Sequence, residues 1–271
     1  MSAADVRSIL ADWSLTPGGD AQEQIDALLE PLCARGVLPD GHESTNAILL
    51  GEQYHLGGVE DTRRMARLAG ISAADRVVDL ACYIGGPARQ LARECQCEAV
   101  GVDISPVHIA VAEKLTGLMD LRERVTFVCE SADAVPEPDG SFTVAWSQGS
   151  FPGDLSWLKE MDRLLKPGGR LAFTGVIRRA ACDDPALLPL GEIRQRVEAI
   201  GYRVVGAEDI SDMDLEHGWL PTLAKLRANE AHYRELMGSD WVHKAGASIE
   251  ADIAAWREGR MGNGRVVAVK D

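Results

Sequence analysis

The segment Val77-Val78-Asp79-Leu80-Ala81-Cys82-Tyr83-Ile84-Gly85-Gly86-Pro87 runs from an apolar stretch through an acid and a short turn into a helix opened by proline. Beyond the carboxyl end of a strand in an open α/β sheet, glycines let the backbone approach a small ligand where a Cβ would collide. Taken alone, Gly85 and Gly86 serve equally in a tight strand-to-helix turn that holds no ligand. About two dozen residues further on, a second apolar run ends at Asp103-Ile104. An acid at that spacing accepts hydrogen bonds from the two hydroxyls of a ribose. The same carboxylate would also cap a helix beginning near Pro106. A third run is followed by Ser131-Ala132-Asp133-Ala134, whose acid suits an adenine amino group or simply closes a turn.

Such residues converge only if strands carry them to one edge of a sheet. Short apolar runs alternating with amphipathic stretches read as a parallel sheet covered on both faces. The strands are expected at Arg76–Ala81, Ala99–Asp103, Val125–Glu130, Phe142–Trp146 and Arg170–Gly175, with helices at Pro87–Glu94, Pro106–Leu118, Leu155–Leu165 and Leu187–Ala199. Two more strands, Tyr202–Glu208 and Arg265–Lys270, are separated by a segment too long for a hairpin, with helical periodicity at Leu223, Leu226, Tyr233 and Leu236 and again at Ile249, Ile253 and Trp256. The expected fold is α/β, a Rossmann-like doubly wound, seven-stranded, mostly parallel sheet with a helical cap inserted between the last two strands. Residues 1–70 read as an N-terminal helical layer, residues 71–271 as the main domain, and about 211–262 as the cap.

In order and spacing, Asp79-Leu80-Ala81-Cys82-x-x-Gly85-Gly86, Val102-Asp103-Ile104-Ser105, Ala132-Asp133 and Leu165-Lys166-Pro167-Gly168-Gly169 resemble the nucleotide-side motifs of class I S-adenosylmethionine (SAM)-dependent methyltransferases. The resemblance covers roughly residues 53–270. It is nearest to the small-molecule enzymes of ubiquinone biosynthesis, of sarcosine and dimethylglycine, and of tocopherol, because Tyr54-His55-Leu56-Gly57-Gly58 precedes the core and a cap separates the last strands. The resemblance implies SAM as cofactor, S-adenosylhomocysteine (SAH) as its product, and a cofactor site at Asp79, Ala81, Cys82, Tyr83, Gly85, Gly86, Asp103, Ile104, Ala132, Asp133, Ala134 and Ser147. It further implies that Tyr54 and His55 lie over the methionine end of SAM. One departure stands out: the family's glycine-cysteine-glycine is Ala81-Cys82-Tyr83 here. The Tyr83 ring must therefore point away from the cofactor, stack along it, or enter the acceptor pocket.

Methyl transfer asks little of the protein beyond orienting an acceptor and excluding water, so few catalytic residues are expected. Tyr54, His55 and Gln148 are the candidates. His55 alternatively plays a structural part, and Gln148 and Asp154 alternatively cap the following helix. His217, Trp219, His232, Tyr233, Trp241 and His243 fall in the cap, where each serves the acceptor pocket or packing. His108 reads as an outward-facing or capping residue.

A net charge of −14 argues against nucleic acid as a partner. No apolar run approaches ~18 residues and no leader-like start is evident, so no membrane association and a cytoplasmic location are expected. The six cysteines lack paired metal-site spacing, Cys95 and Cys97 being the one close pair, and no metal is expected. The reading is thus an enzyme methylating a small-molecule acceptor at an unassigned N, O, C or S atom, with homo-oligomerisation left open. Its competitors are a non-catalytic SAM-binding protein and a nicotinamide-dependent oxidoreductase.

Overall fold

The computed structural model describes residues 3–11, 21–38 and 42–271. Seven strands form one sheet in the order β3-β2-β1-β4-β5-β7-β6. They are β1 (Arg76–Leu80), β2 (Glu98–Asp103), β3 (Val125–Cys129), β4 (Phe142–Phe151), β5 (Leu165–Arg178), β6 (Tyr202–Asp209) and β7 (Met261–Lys270). The first five run parallel, and β7 is antiparallel to both β5 and β6. The order reverses between β1 and β4, the switch point at which open α/β sheets bind ligands.

The helices α1 (Ala3–Ile9), α2 (Ala21–Ala34) and α3 (His42–Leu50) are followed by a 3-10 turn at Gly51–Gln53, and α4 (Gly58–Ala69) leads into β1. The crossovers carry α5 (Gly86–Cys95), α6 (Pro106–Leu118), α7 (Leu158–Leu164) and α8 (Leu190–Ala199). Between β6 and β7 lie α9 (Ser211–Asp214), a π-helical turn at Leu215–Trp219, α10 (Leu220–Ala228), α11 (Glu230–Met237) and α12 (Ser239–Arg257). No helix among the described residues is long and apolar enough to cross a membrane.

Each face of the sheet has its own apolar core. Val78, Leu80, Leu171 and Phe173 pack on one side, and Val77, Val144, Trp146 and Val267 on the other. Alternation along a strand sends neighbouring side chains to opposite faces, which is why the central strands read as unbroken apolar runs. A third cluster joins Ile25, Leu29 and Leu32 of α2 to Leu223, Tyr233, Ile249 and Ile253 of the cap, and Tyr83 and Ile84 belong to it. N-terminal helices and cap thus share one core above the strand tips. Cys97 lies in the sheet core, and burial pushes its thiol up to about 12, so the Cys95/Cys97 pair offers no ready thiolate.

Several element boundaries differ from the sequence expectation, among them the ends of β4 and β5. Strand β4 continues past Trp146 to Phe151 because Phe151 pairs with Gly175 and the Gly149 amide donates to Thr174 Oγ1 at 2.8 Å. Strand β5 reaches Arg178 because β7 pairs with it from Arg170 onward. Residues 147–154 are therefore partly strand rather than wholly loop.

Candidate functional site

The tips of β1, β2 and β4 meet at the switch point. Asp79, at 2% exposure, has Oδ2 without a hydrogen-bond partner among the described residues, and burial, then the Asp103 charge, push its carboxyl up to about 8. Asp79 is in register with Trp146, so Ser147 stands one step beyond on the neighbouring strand, fully buried and with Oγ likewise unpartnered. Buried polar atoms are almost always satisfied, so the orphan at the tip of β1 and the one at the next step along β4, on the opposite face of the sheet, each mark a strand end where a polar group is missing.

Asp103 is already engaged. Its Oδ2 accepts from the Tyr83 amide at 2.9 Å, and its Oδ1 accepts from the Ser105 amide at 2.9 Å and lies 3.0 Å from His108 Nδ1. Ser105 is the N-cap of α6, accepting from the His108 amide at 3.3 Å. The first turn of α6 thereby folds His108 back over the carboxylate, and its expected outward position is corrected: it is 7% exposed.

The Tyr83 ring lies between two others. It stacks on Tyr54 with centroids 3.6 Å apart and meets His108 edge-on at 4.3 Å. To place it there, Ala81 and Tyr83 adopt left-handed φ of 55° and 52°, which non-glycine residues occupy only under constraint. Of the three orientations open to Tyr83, the structure adopts burial against Tyr54 beneath the cap. Gly86 is explained by chain packing: a Cβ there would fall 2.1 Å from the Glu52 carbonyl oxygen. Gly85, at φ 79°, abuts the Phe127 ring. Cys82 is buried, and its amide donates to the Val102 carbonyl at 3.0 Å.

Further along the edge, Ile104 is 73% exposed, an uncovered apolar face beside Asp103. Ala132 is buried, while Asp133 and Ala134 are exposed, with Asp133 Oδ1 accepting from Ser131 Oγ at 2.5 Å. An exposed apolar surface flanked by a carboxylate suits a purine, and the buried Asp79 orphan suits an ammonium. The residues present fit SAM.

The stretch Tyr54–Gly58 is held by two buried ion pairs. Arg89, fully buried, binds Glu52 through Nε at 3.1 Å and through Nη2, and donates Nη1 to the Ile84 carbonyl at 2.7 Å. Arg265, 1% exposed, pairs with Asp61 and with Glu208 at 2.7 Å. A directed chain starts at Asp61. Its carboxylate only accepts, so Gln148 gives it Nε2 at 2.7 Å and turns Oε1 to Thr62 Oγ1 at 3.0 Å. Thr62 Oγ1 donates to that oxygen and shares Gln53 Oε1, at 3.2 Å, with His55 Nε2, which finds two acceptors in Thr62 Oγ1 at 3.1 Å and Gln53 Oε1 at 3.3 Å. With the proton on Nε2, Nδ1 is a bare acceptor, and it is buried without a partner among the described residues. Burial lowers His55 to about 4, so the ring is neutral at physiological pH. Gln148 positions His55 in this way and does not itself line the cavity.

That cavity, of about 260 Å³, lies under the cap and is lined by Tyr54, His55, Asp61, Gly149, Asp214, Asp252, Trp219 and Trp256 among others. A larger one, about 630 Å³, sits between α1, α6 and β3. Size does not make it the site: the carboxyl-terminal parts of β4 and β5 give Gly149, Thr174 and Val176 to the smaller cavity and no residue to this one. Asp214 and Asp252 line this cavity and were not singled out from the sequence; a lone acid in a helical insertion carries no spacing signal.

A family model described as a methyltransferase domain matches residues 77–169. Tocopherol O-methyltransferase of Arabidopsis thaliana is 31% identical over 155 residues, 55% of this chain and 42% of that protein. Methyltransferase GfsG of Streptomyces halstedii is 33% identical over 193 residues, 69% of this chain and 67% of that protein. Phosphoethanolamine N-methyltransferase 2 of Haemonchus contortus, solved with SAM bound, has the same fold at a TM-score of 0.75 and 18% identity, over 94% of this chain and 60% of that one. The chain belongs to the class I SAM-dependent methyltransferases.

Proposed function

We propose that this chain transfers a methyl group from SAM to a small molecule held in the cavity beneath the cap. The observation that carries the reading is the buried orphan Asp79 Oδ2 at the switch point, close enough to Asp103 to feel its charge. When bound, SAM supplies an electrophilic methyl on a sulfonium. Asp79 and Ser147 would hold its amino-acid end, Asp103 its ribose, and Ile104, Ala132, Asp133 and Ala134 its adenine. Ala81, Cys82, Tyr83, Gly85 and Gly86 form the turn beneath it.

His55 would accept a hydrogen bond from the acceptor through Nδ1, turning the nucleophilic lone pair outward, while the cap excludes water. At about 260 Å³ the cavity lies below the ~300–1,000 Å³ typical of drug-sized ligands, which supports a small metabolite. A cytoplasmic enzyme acting on free metabolites, with neither nucleic acid nor membrane as partner, fits the acidic surface. Incubation with methyl-labelled SAM and a metabolite panel should yield labelled product and stoichiometric SAH.

The Tyr54–Tyr83–His108 stack favours a second reading, a chain that binds SAM without turnover, because these rings and the Tyr83 amide already occupy the face of Asp103. Binding of SAH with no labelled product across the panel would select it.

A further inference from the structure

The walls of the cavity under the cap have an uneven chemistry. Three acidic residues line it, Asp61 from α4, Asp214 from α9 and Asp252 from α12, and no lysine or arginine is among its described lining residues. Asp61 is matched by Arg265 behind it. Aromatic surface comes from Tyr54, Trp219 and Trp256, the two indoles meeting edge-on at 5.6 Å. Carboxylates beside aromatic faces attract an organic cation from two directions, by charge and by the ring quadrupole. Unpartnered polar atoms in the same wall point independently to a ligand, the Trp219 indole N–H among them. His55 Nδ1, in a residue 6% exposed, is an acceptor, and Trp256 Nε1, in a residue 4% exposed, is a donor.

From this arrangement we propose that the acceptor is a small amine carrying an oxygen function, bound as its ammonium, and that Asp214 is the residue that takes its proton. The inference rests on the methyl-transfer reading and names the substrate class of that site. The ammonium gives one proton to the Asp214 carboxylate. The freed nitrogen lone pair then forms the N–C bond to the SAM methyl while the C–S bond breaks, and that bond's electron pair stays on sulfur as the neutral thioether. His55 Nδ1 accepts from a remaining N–H, and the Trp256 N–H serves the oxygen.

Asp214 is placed for this part. It is 2% exposed, and its Oδ2 accepts from Asn263 Nδ2 at 2.6 Å. Burial pushes its carboxyl up to about 7, against the donation from Asn263, with Asp61 raising it further and Arg265 lowering it. Asp209 of β6, bridged by Arg179 at 3.3 Å, also raises it. On its own helix Asp212 is exposed, and on the adjoining π-helical turn so are Glu216 and His217. Asp252 and the neutral His55 share the cavity. A carboxyl with these surroundings changes charge across the neutral range, as a proton acceptor must.

Ethanolamine, ethylene glycol and glycolate present a cation, a neutral molecule and an anion on nearly one frame; tyramine, 4-ethylphenol and 3-(4-hydroxyphenyl)propanoate do so on a larger one. They are titrated by calorimetry into the SAH-loaded chain and the ligand-free chain at pH 6 and pH 8, and tested as acceptors with labelled SAM. The amines should bind most tightly within each set, more tightly at pH 8, where Asp214 is ionised, than at pH 6. Asp214→Asn should lose about tenfold to hundredfold in amine affinity and lose the pH effect, with SAH affinity unchanged. The charge comparison on the unaltered chain needs no variant. Amine binding no stronger than that of the glycol and phenol, label entering only neutral or anionic acceptors, or an Asp214→Asn chain binding amines as before would overturn the inference and leave methyl transfer standing. Absence of SAH binding overturns the methyl-transfer reading instead, and the ligand-free titrations then decide the cavity's charge preference by themselves.

Discussion

Asp79→Asn separates the two demands that burial places on this carboxyl. Pushed up to about 8 from the ordinary aspartate value of 3.8, it keeps a proton in the folded chain that the unfolded chain releases. Its folded value lies above its unfolded one, so its contribution to stability is complete below about pH 4, declines as pH rises from there, and levels off above about 8. The separation between the folded and unfolded values limits the loss to roughly 5 kcal/mol. Asparagine has no proton to lose. The variant should therefore exceed the parent at pH 8 by roughly 2–5 kcal/mol in unfolding free energy and match it near pH 4. Asp214, pushed up to about 7, adds a slope of the same sign to both proteins, so their difference isolates Asp79.

The gain in stability should come with weaker cofactor binding. The carboxyl can give up its proton to pair with an ammonium and the amide cannot, so SAH affinity should drop by about tenfold or more. Urea denaturation at pH 4, 5, 6, 7 and 8, read by the fluorescence of buried Trp146, gives the first quantity, and calorimetric titration with SAH at pH 7 gives the second. A variant whose stability tracks the parent across the whole range, or which binds SAH equally well, would refute the reasoning.

Ala81→Gly removes a methyl from a residue at φ 55° and should raise stability by about 1 kcal/mol, seen as a melting temperature higher by roughly 2–4 °C; a lower melting temperature would contradict the strain argument. Tyr83→Gly relieves similar strain but deletes a ring that is 6% exposed, so net destabilisation of roughly 2–4 kcal/mol is expected in urea melts, with altered SAH affinity. Arg89→Met leaves Glu52 buried and uncompensated and should cost about 3–5 kcal/mol, much of it recovered by adding Glu52→Gln, which a double-mutant cycle measures.

The strand tips were legible because their signal is local. Val77–Gly86, Asp103 and Asp133 each close an apolar run at spacing that a parallel sheet fixes, and the cap announced itself by the distance between Tyr202–Glu208 and Arg265–Lys270. What sequence did not disclose depends on contacts between distant segments. Arg265 and Asp61 are 204 residues apart, and Gln148 and Asp61 are 87 apart, so the chain that fixes the His55 tautomer has no pattern to read. His108 was misplaced because its alignment with Asp103 arises only when the Ser105 cap turns α6 back over the strand tip. The left-handed turn at Ala81 and Tyr83 was hidden by residues that normally avoid it; only the family resemblance drew attention to those positions. Ser147–Phe151 looked like loop because its glycine and polar content masks a pairing that β5 imposes.

A calorimetric titration of the folded chain with SAH, run beside Asp103→Ala, meets the central claim head on. One SAH per chain should bind the parent, and the variant, having lost the carboxylate that faces Tyr83 and His108, should bind about tenfold or more weakly. No heat from the parent at millimolar SAH, or equal affinity in the two proteins, would show that the tips of β1 and β2 do not hold the adenosyl group.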